Sequence, residues 1–263
     1  MTKGLFDLTG KVVLATGANS GIGLGFLQGC AKQGADVVVW ARRADRNAEA
    51  LKTLKSLGAP RAHSEDVDVS EEAAVEAAFA STLKAMGRVD CVFANAGFNS
   101  RAPSFPDMTS RMYHDLLNVN LHGAFYTMRV VAQHMRERAQ AGDPGGSIVA
   151  CGSLSIFHGI QGMEHYGAAK GALSAIIKGI AVEMGQYGVR ANMIAPGFFV
   201  SGFMEGASQE MSDSIIKRFS DITPLGRVGY ISDIEGPAAY LASDASSYHT
   251  GDILVIDGGR MVK

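Results

Sequence analysis

The chain is poor in cysteine, in charge of one sign and in long apolar runs, and each shortage excludes a class of protein. Three cysteines occur in 263 residues, Cys30, Cys91 and Cys151. They lie far apart with no Cys-x-x-Cys spacing, so they offer neither a disulfide framework nor a zinc site, and a reducing cytoplasm is the expected setting. The 24 Lys+Arg are balanced by 26 Asp+Glu for a net charge of −2. No basic field is available to follow a phosphate backbone, which argues against a nucleic-acid partner. No stretch without Asp, Glu, Lys or Arg is longer than residues 144–163, which is interrupted by Gly, Ser, His and Gln, and residues 1–8 hold no apolar signal core. Neither a membrane span nor a signal peptide is expected.

What the chain does have is 47% hydrophobic residues, enough to fill the core of one large α/β domain over residues 1–263. Short β-branched runs alternate with longer amphipathic ones. Strands are expected at 12–16, 37–40, 61–67, 89–94, 147–151, 190–195 and 253–257. Helical spacing is expected up to 33, up to 57, and over 71–86, 109–138, 166–187 and 232–243. That rhythm predicts βαβ units and a doubly wound sheet of about seven parallel strands with helices on both faces. An eight-fold (β/α) barrel shares the length and the alternation, but the first strand-to-helix turn is glycine-rich, which favours the open sheet. Residues 197–219, carrying Phe198, Phe199, Phe203 and Met204, read as an apolar lid or as a packed helical hairpin.

That first turn runs Thr16-Gly17-Ala18-Asn19-Ser20-Gly21-Ile22-Gly23. Glycines there permit a tight turn and close backbone approach, and the amides opening a helix attract a pyrophosphate. An acidic residue at the end of the second strand would hold an adenosine ribose and repel a 2′-phosphate. Ala41 stands there instead, followed by Arg42 and Arg43, whose guanidiniums suit a phosphate. NADP(H) is therefore expected over NAD(H).

Tyr166 and Lys170 are four residues apart and share one helix face. A phenol is a weak base with an ordinary pKa of about 10, and a neighbouring ammonium stabilises the phenolate. Such a pair can exchange a proton with an alcohol near neutral pH. Ser153 follows the strand at 147–151, 13 positions before Tyr166.

With these motifs, and with Asn95-Ala96-Gly97, Asn120, Pro196-Gly197 and Asp257-Gly258-Gly259 in order, the chain resembles the short-chain dehydrogenase/reductase family over nearly its whole length. The resemblance implies a Rossmann-type fold and interconversion of a ketone and a secondary alcohol. It makes Tyr166 the proton donor, Ser153 the holder of the substrate oxygen, Lys170 the partner of the nicotinamide ribose, and Asn120 the holder of a water leading to solvent. It places cofactor contacts at Gly17, Asn19, Ser20, Gly21, Ile22 and Gly23, at Arg42 and Arg43, and at Asp68 and Val69 for the adenine, with Asp66 second to Asp68. Asn95, Ala96, Gly97, Pro196, Gly197, Phe199 and Ser201 complete the set. Ala94 and Ser201 depart from the family's usual Asn and Thr.

The resemblance further implies a homotetramer built through the helices at 109–138 and 166–187. The substrate is expected to have an apolar or cyclic part, such as a 3-oxoacyl group or a cyclic ketone. A sugar-acid or polyol dehydrogenase is the alternative, and a non-catalytic NADP-binding sensor a third reading. No metal is expected; His158, Glu164 and His165 read as polar groups at the surface or pocket rim, and Cys151 as an inert core thiol.

Overall fold

The computed structural model describes residues 4–200 and 208–263. Its seven strands are β1 (Val12–Thr16), β2 (Asp36–Ala41), β3 (Ala62–Asp66), β4 (Cys91–Ala94), β5 (Gly146–Cys151), β6 (Val189–Pro196) and β7 (Ile253–Ile256). They form one sheet in the order β3-β2-β1-β4-β5-β6-β7, parallel throughout.

The central strands are continuous apolar runs because both faces of the sheet are covered. Successive side chains point to opposite faces, so Val12, Leu14, Val38, Trp40, Val92 and Ile148 enter one core. Their neighbours Val13, Ala15, Val37, Val39, Phe93 and Val149 enter the other. The first core is closed by α3 (Glu72–Met86), α5 (Ala124–Gln140) and α6 (Glu164–Met184). The second is closed by α1 (Gly21–Ala31), α2 (Ala44–Ser56) and α8 (Ser232–Ala242). Helix α4 (Ser110–Leu117) packs on α6, and α7 (Gln209–Asp221) follows the end of β6.

Helices α1 and α8 touch backbone to backbone. A Cβ at Gly29 would stand 2.3 Å from the Glu235 carbonyl oxygen and 2.7 Å from its Cα, so only glycine allows this approach.

Two expectations change. The region 109–138 is not one α-helix: α4 gives way to a π-helical segment, Asn118–Gly123, before α5 begins. The apolar periodicity runs through both halves and hides the wider turn. The stretch 197–219 is not irregular throughout either, since α7 occupies its second half, capped by Ser208, whose hydroxyl accepts from the Met211 amide. Ser201, Phe203 and Met204 lie outside the described residues.

Because the strand order reverses direction between β1 and β4, the crevice beyond their carboxyl ends is the place where such a sheet binds ligands. The glycine-rich turn leaves β1 there, and Asn95-Ala96-Gly97 leaves β4.

Candidate active site

These two turns are stitched together. The Thr16 hydroxyl accepts from the Asn95 and Ala96 amides at 3.0 and 2.9 Å. The Asn95 side-chain amide donates back to the Thr16 carbonyl at 2.9 Å. Gly17 has φ +61, and a Cβ on it would lie 2.9 Å from the Ala96 Cα; the turn needs glycine both for its left-handed backbone and for room.

The proton-transfer candidates arrive from three other elements. Ser153 follows β5, and its hydroxyl accepts from the Ser155 amide at 3.1 Å. Tyr166 and Lys170 stand one turn apart on α6. Lys170 is buried, its Nζ donating to the Cys151 carbonyl at 2.7 Å and lying 5.7 Å from the centre of the Tyr166 ring.

Asn120 sits in the π segment, a kind of wide turn that recurs at functional sites. Its Oδ1 accepts from the Phe98 amide at 3.0 Å and its Nδ2 donates to the Phe98 carbonyl at 2.8 Å. The side-chain amide thus pins the loop after Gly97.

Ser153, Tyr166, Lys170 and Asn120 line one cavity of about 490 Å³, together with Gly17, Ser20, Gly21, Ile22, Asn95, Gly97, Pro196, Gly197 and Phe199. Gly17, Ser20, Gly97 and Phe98 also line a second cavity of about 500 Å³, where Asn19, Arg42, Arg43, Asp68, Val69 and Ala96 meet. The two share a wall and form a long cleft across the switch point. Its middle is backbone that a Cβ would block, and one end carries two guanidiniums. Gly23 does not line either cavity; a Cβ there would meet Asn95 Nδ2 at 2.5 Å, so it serves the packing of the turn.

Asp68 lies in the cleft whereas Asp66 lies behind it, bonded to Asn47. Burial pushes the Asp68 carboxyl up, but the Ser70 hydroxyl and amide and the Arg42 guanidinium together hold it below the usual carboxylate range. Arg42 Nη1 is 3.9 Å from Asp68, with its side chain 74% exposed. Cys151 lines the first cavity, and burial pushes its thiol up against the opposing effect of Lys170.

His165 is not at a rim. It is wholly buried, its Nε2 2.8 Å from the Ser100 hydroxyl and its Nδ1 without a partner. It joins the loop after Gly97 to the helix that carries Tyr166, and the bond from the Ala102 amide to the Gly162 carbonyl at 2.8 Å ties the same loop to the turn before that helix. His158 and Glu164 are exposed, and Glu164 accepts from the Gly162 amide at 3.1 Å. Sequence reasoning missed Ser100 and Asn47, neither of which sits in a motif. Among the described residues no group of three or more His, Cys, Asp or Glu is placed to hold a metal.

A family model described as Enoyl-(Acyl carrier protein) reductase matches residues 17–260. A short-chain type dehydrogenase/reductase from Mycobacterium marinum superposes with a TM-score of 0.88 at 31% identity, covering 97% of each chain. The chain belongs to the short-chain dehydrogenase/reductase family. It is an oxidoreductase acting on the CH–OH/C=O pair. Gluconate 5-dehydrogenase from Gluconobacter oxydans (strain 621H) is 35% identical over 260 residues, 98% of this chain and 97% of that protein. A gluconate 5-dehydrogenase from Burkholderia cenocepacia J2315, solved with NADP and tartrate, matches with a TM-score of 0.88 at 31% identity over 98% of each chain. The resemblance to this family drawn from the sequence holds, as does the doubly wound sheet it implied.

Proposed function

We propose that the protein is an NADP(H)-dependent oxidoreductase interconverting a ketone and a secondary alcohol, with Tyr166 as general acid and base. The observation that carries this is the convergence of Ser153, Tyr166, Lys170 and Asn120 on a cavity that continues into the Arg42–Arg43 corner.

When bound, the nicotinamide supplies or accepts the hydride. The chain's own groups orient the substrate and move the proton. The Ser153 hydroxyl holds the substrate oxygen, and the Tyr166 hydroxyl gives that oxygen a proton in reduction or takes one in oxidation. The Lys170 ammonium, near the Tyr166 ring and desolvated, stabilises negative charge on the phenol oxygen while the Cys151 carbonyl fixes its position. The side chain of Asn120 is engaged by Phe98, so its contribution to a proton path runs through its backbone or its remaining amide valences.

At the other end, Ala41 leaves room where a carboxylate would repel a 2′-phosphate, and Arg42 and Arg43 supply the donors. The NADP held by the B. cenocepacia relative supports the same choice. Asp68 bonds the adenine. Phe98 and Phe199 border the substrate end and favour a substrate with an apolar or cyclic part. Asn99 in the same wall and the two gluconate dehydrogenase relatives favour the second reading, a sugar-acid or polyol substrate. A sensor without turnover would have no use for the complete set of four.

The assembly we propose is a homotetramer in a reducing cytoplasm. A groove of about 280 Å³ between α5 and α6, lined by Phe125, Met128, Arg129, Ile176 and Ile180, supports it. A light-scattering mass of one chain at micromolar concentration refutes it.

The deciding experiment compares NADPH and NADH in binding and turnover against 3-oxoacyl thioesters, cyclic ketones and sugar acids, with Tyr166→Phe as control. NADPH should bind about tenfold or more tightly than NADH, the loss expected on removing charge-assisted hydrogen bonds. Turnover should fall by about 10²–10⁴ in the Tyr166→Phe variant with cofactor binding retained. Preference for NADH refutes the cofactor reading; full turnover in Tyr166→Phe refutes the catalytic one.

A further inference from the structure

Behind the cofactor cleft, outside either cavity, one buried side chain ties three of its walls together. Asn47 lies in the first turns of α2 and is 1% exposed. Its Oδ1 accepts from Asn19 Nδ2 at 2.8 Å, in the glycine-rich turn. Its Nδ2 donates to the Ala41 carbonyl at 3.0 Å, at the end of β2, and to Asp66 Oδ1 at 2.7 Å, at the end of β3. Its backbone amide donates to the Arg43 carbonyl at 2.9 Å.

The polarity admits one solution. With the amide reversed, its NH₂ would face the NH₂ of Asn19, and its oxygen would face the Ala41 carbonyl and the Asp66 carboxylate. An amide is the group that accepts once on one side and donates twice on the other. An aspartate in its place has no proton for Ala41 or Asp66 and brings a second negative charge beside Asp66.

We propose that Asn47 is a positioning residue for cofactor binding. It fixes the distance between the glycine-rich turn, which faces the pyrophosphate, and the Ala41–Arg43 corner, which faces the adenosine ribose and its 2′ substituent. It touches neither, and acts through Asn19 on one side and through Ala41 and Arg43 on the other. A dinucleotide spans both walls, so it feels their separation; a mononucleotide that occupies only the corner does not. The identity of the phosphate at the corner rests on the NADP(H) reading, but the spacing role does not.

The test measures dissociation constants of NADPH, NADH and 2′-AMP, together with kcat at saturating cofactor, for the wild type and for Asn47→Ala, Asn47→Asp and the double variant N47D/D66N. In the double variant a carboxylate at 47 still accepts from Asn19, and an amide at 66 can donate to it, so the bond between 47 and 66 returns with reversed polarity. Loss of one or two buried hydrogen bonds should weaken NADPH about tenfold in both single variants. Binding of 2′-AMP should change by less than about twofold on the same scale, kcat at saturation should hold, and N47D/D66N should recover part of the lost NADPH affinity.

Equal weakening of NADPH and 2′-AMP, or no weakening of either, overturns the proposal. So does failure of all three variants to fold by circular dichroism, which would make Asn47 a determinant of the fold instead. A wild-type preference for NADH overturns only the NADP(H) reading, because the same comparison is then made between NADH and 5′-AMP.

Discussion

Replacing Gly29 by alanine should destabilise the protein, whereas the same change at Gly179 should stabilise it. A Cβ at residue 29 would sit 2.3 Å from the carbonyl oxygen of Glu235, 2.7 Å from its Cα and 2.8 Å from its carbonyl carbon. These are backbone atoms inside α8, so no rotamer relieves the contact. Restoring an ordinary separation of 3.4 Å from the oxygen requires α1 and α8 to part by 3.4 − 2.3, about 1.1 Å. The parting loosens Phe26, Leu27, Ile234 and Leu241 in the core beneath them.

Overpacking of this kind costs about 1–3 kcal/mol, and alanine returns about 0.5–1 kcal/mol through its better helix propensity. The net loss is about 0–2.5 kcal/mol, a fall of up to about 10 °C in Tm at about 2–4 °C per kcal/mol. Gly179 lies exposed in α6 with nothing within 4 Å of its Cβ position. Within the single chain it collects only the propensity gain, a rise of about 1–4 °C. Thermal melts of the two variants and the wild type at one protein concentration check this. Shifts of the same sign, or a Gly29→Ala variant melting at or above the wild type, refute the close-packing argument.

Three other outcomes follow from buried polar groups. Burial holds the His165 imidazole below its ordinary value of 6.5 against the smaller opposing pull of Glu164. The unfolded chain therefore takes up a proton near pH 6.5 that the native state refuses, and this contribution, present above pH 6.5, is lost as pH falls below it toward the folded value. Melts at about pH 8 and about pH 5.5 should differ less in His165→Gln than in the wild type; half-buried His134, also lowered, keeps some slope, and an unchanged difference refutes the assignment. The lowered carboxyls of Asp143 and Asp233 act only below their ordinary 3.8, outside that window. Thr82→Val strands the buried Trp40 Nε1, which donates to Thr82 Oγ1 at 3.0 Å, and should cost about 1–3 kcal/mol in urea unfolding; neutrality would show that the indole finds another acceptor. Asn120→Ala removes both bonds to the Phe98 backbone and should lower kcat together with Tm, by several degrees at about 1–3 kcal/mol; a fall in kcat with Tm intact would separate its chemistry from its clamp.

The strands were legible because a sheet covered on both faces needs unbroken apolar runs, and Val12–Thr16 has the bounds read from its sequence. The edge strand β3, Ala-His-Ser-Glu-Asp, carries no such run; its place was readable only from the alternation around it. The catalytic quartet was legible through the family's spacing. The π turn was not, because Leu116, Leu117 and Ala124 keep an apolar rhythm across it. Asn47 and the His165–Ser100 pair were not legible either. Each depends on groups brought close by the fold from 28 and 65 positions away, and a lone Asn or His in a helix carries no mark of that.

The wide turn at Asn118–Gly123 also sets a phase. A π turn accommodates one residue more than an α turn, so forcing the same residues into α geometry would straighten the helix and rotate everything after it by about 100°, the angle of one residue in a 3.6-fold helix. Asn120 would leave Phe98, and in the same motion the Phe125–Arg129 stripe of α5 would turn away from the groove it shares with α6. One residue's worth of slack thus keys the chemical end of the molecule to its outer flank, so that neither can drift in sequence length without carrying the other.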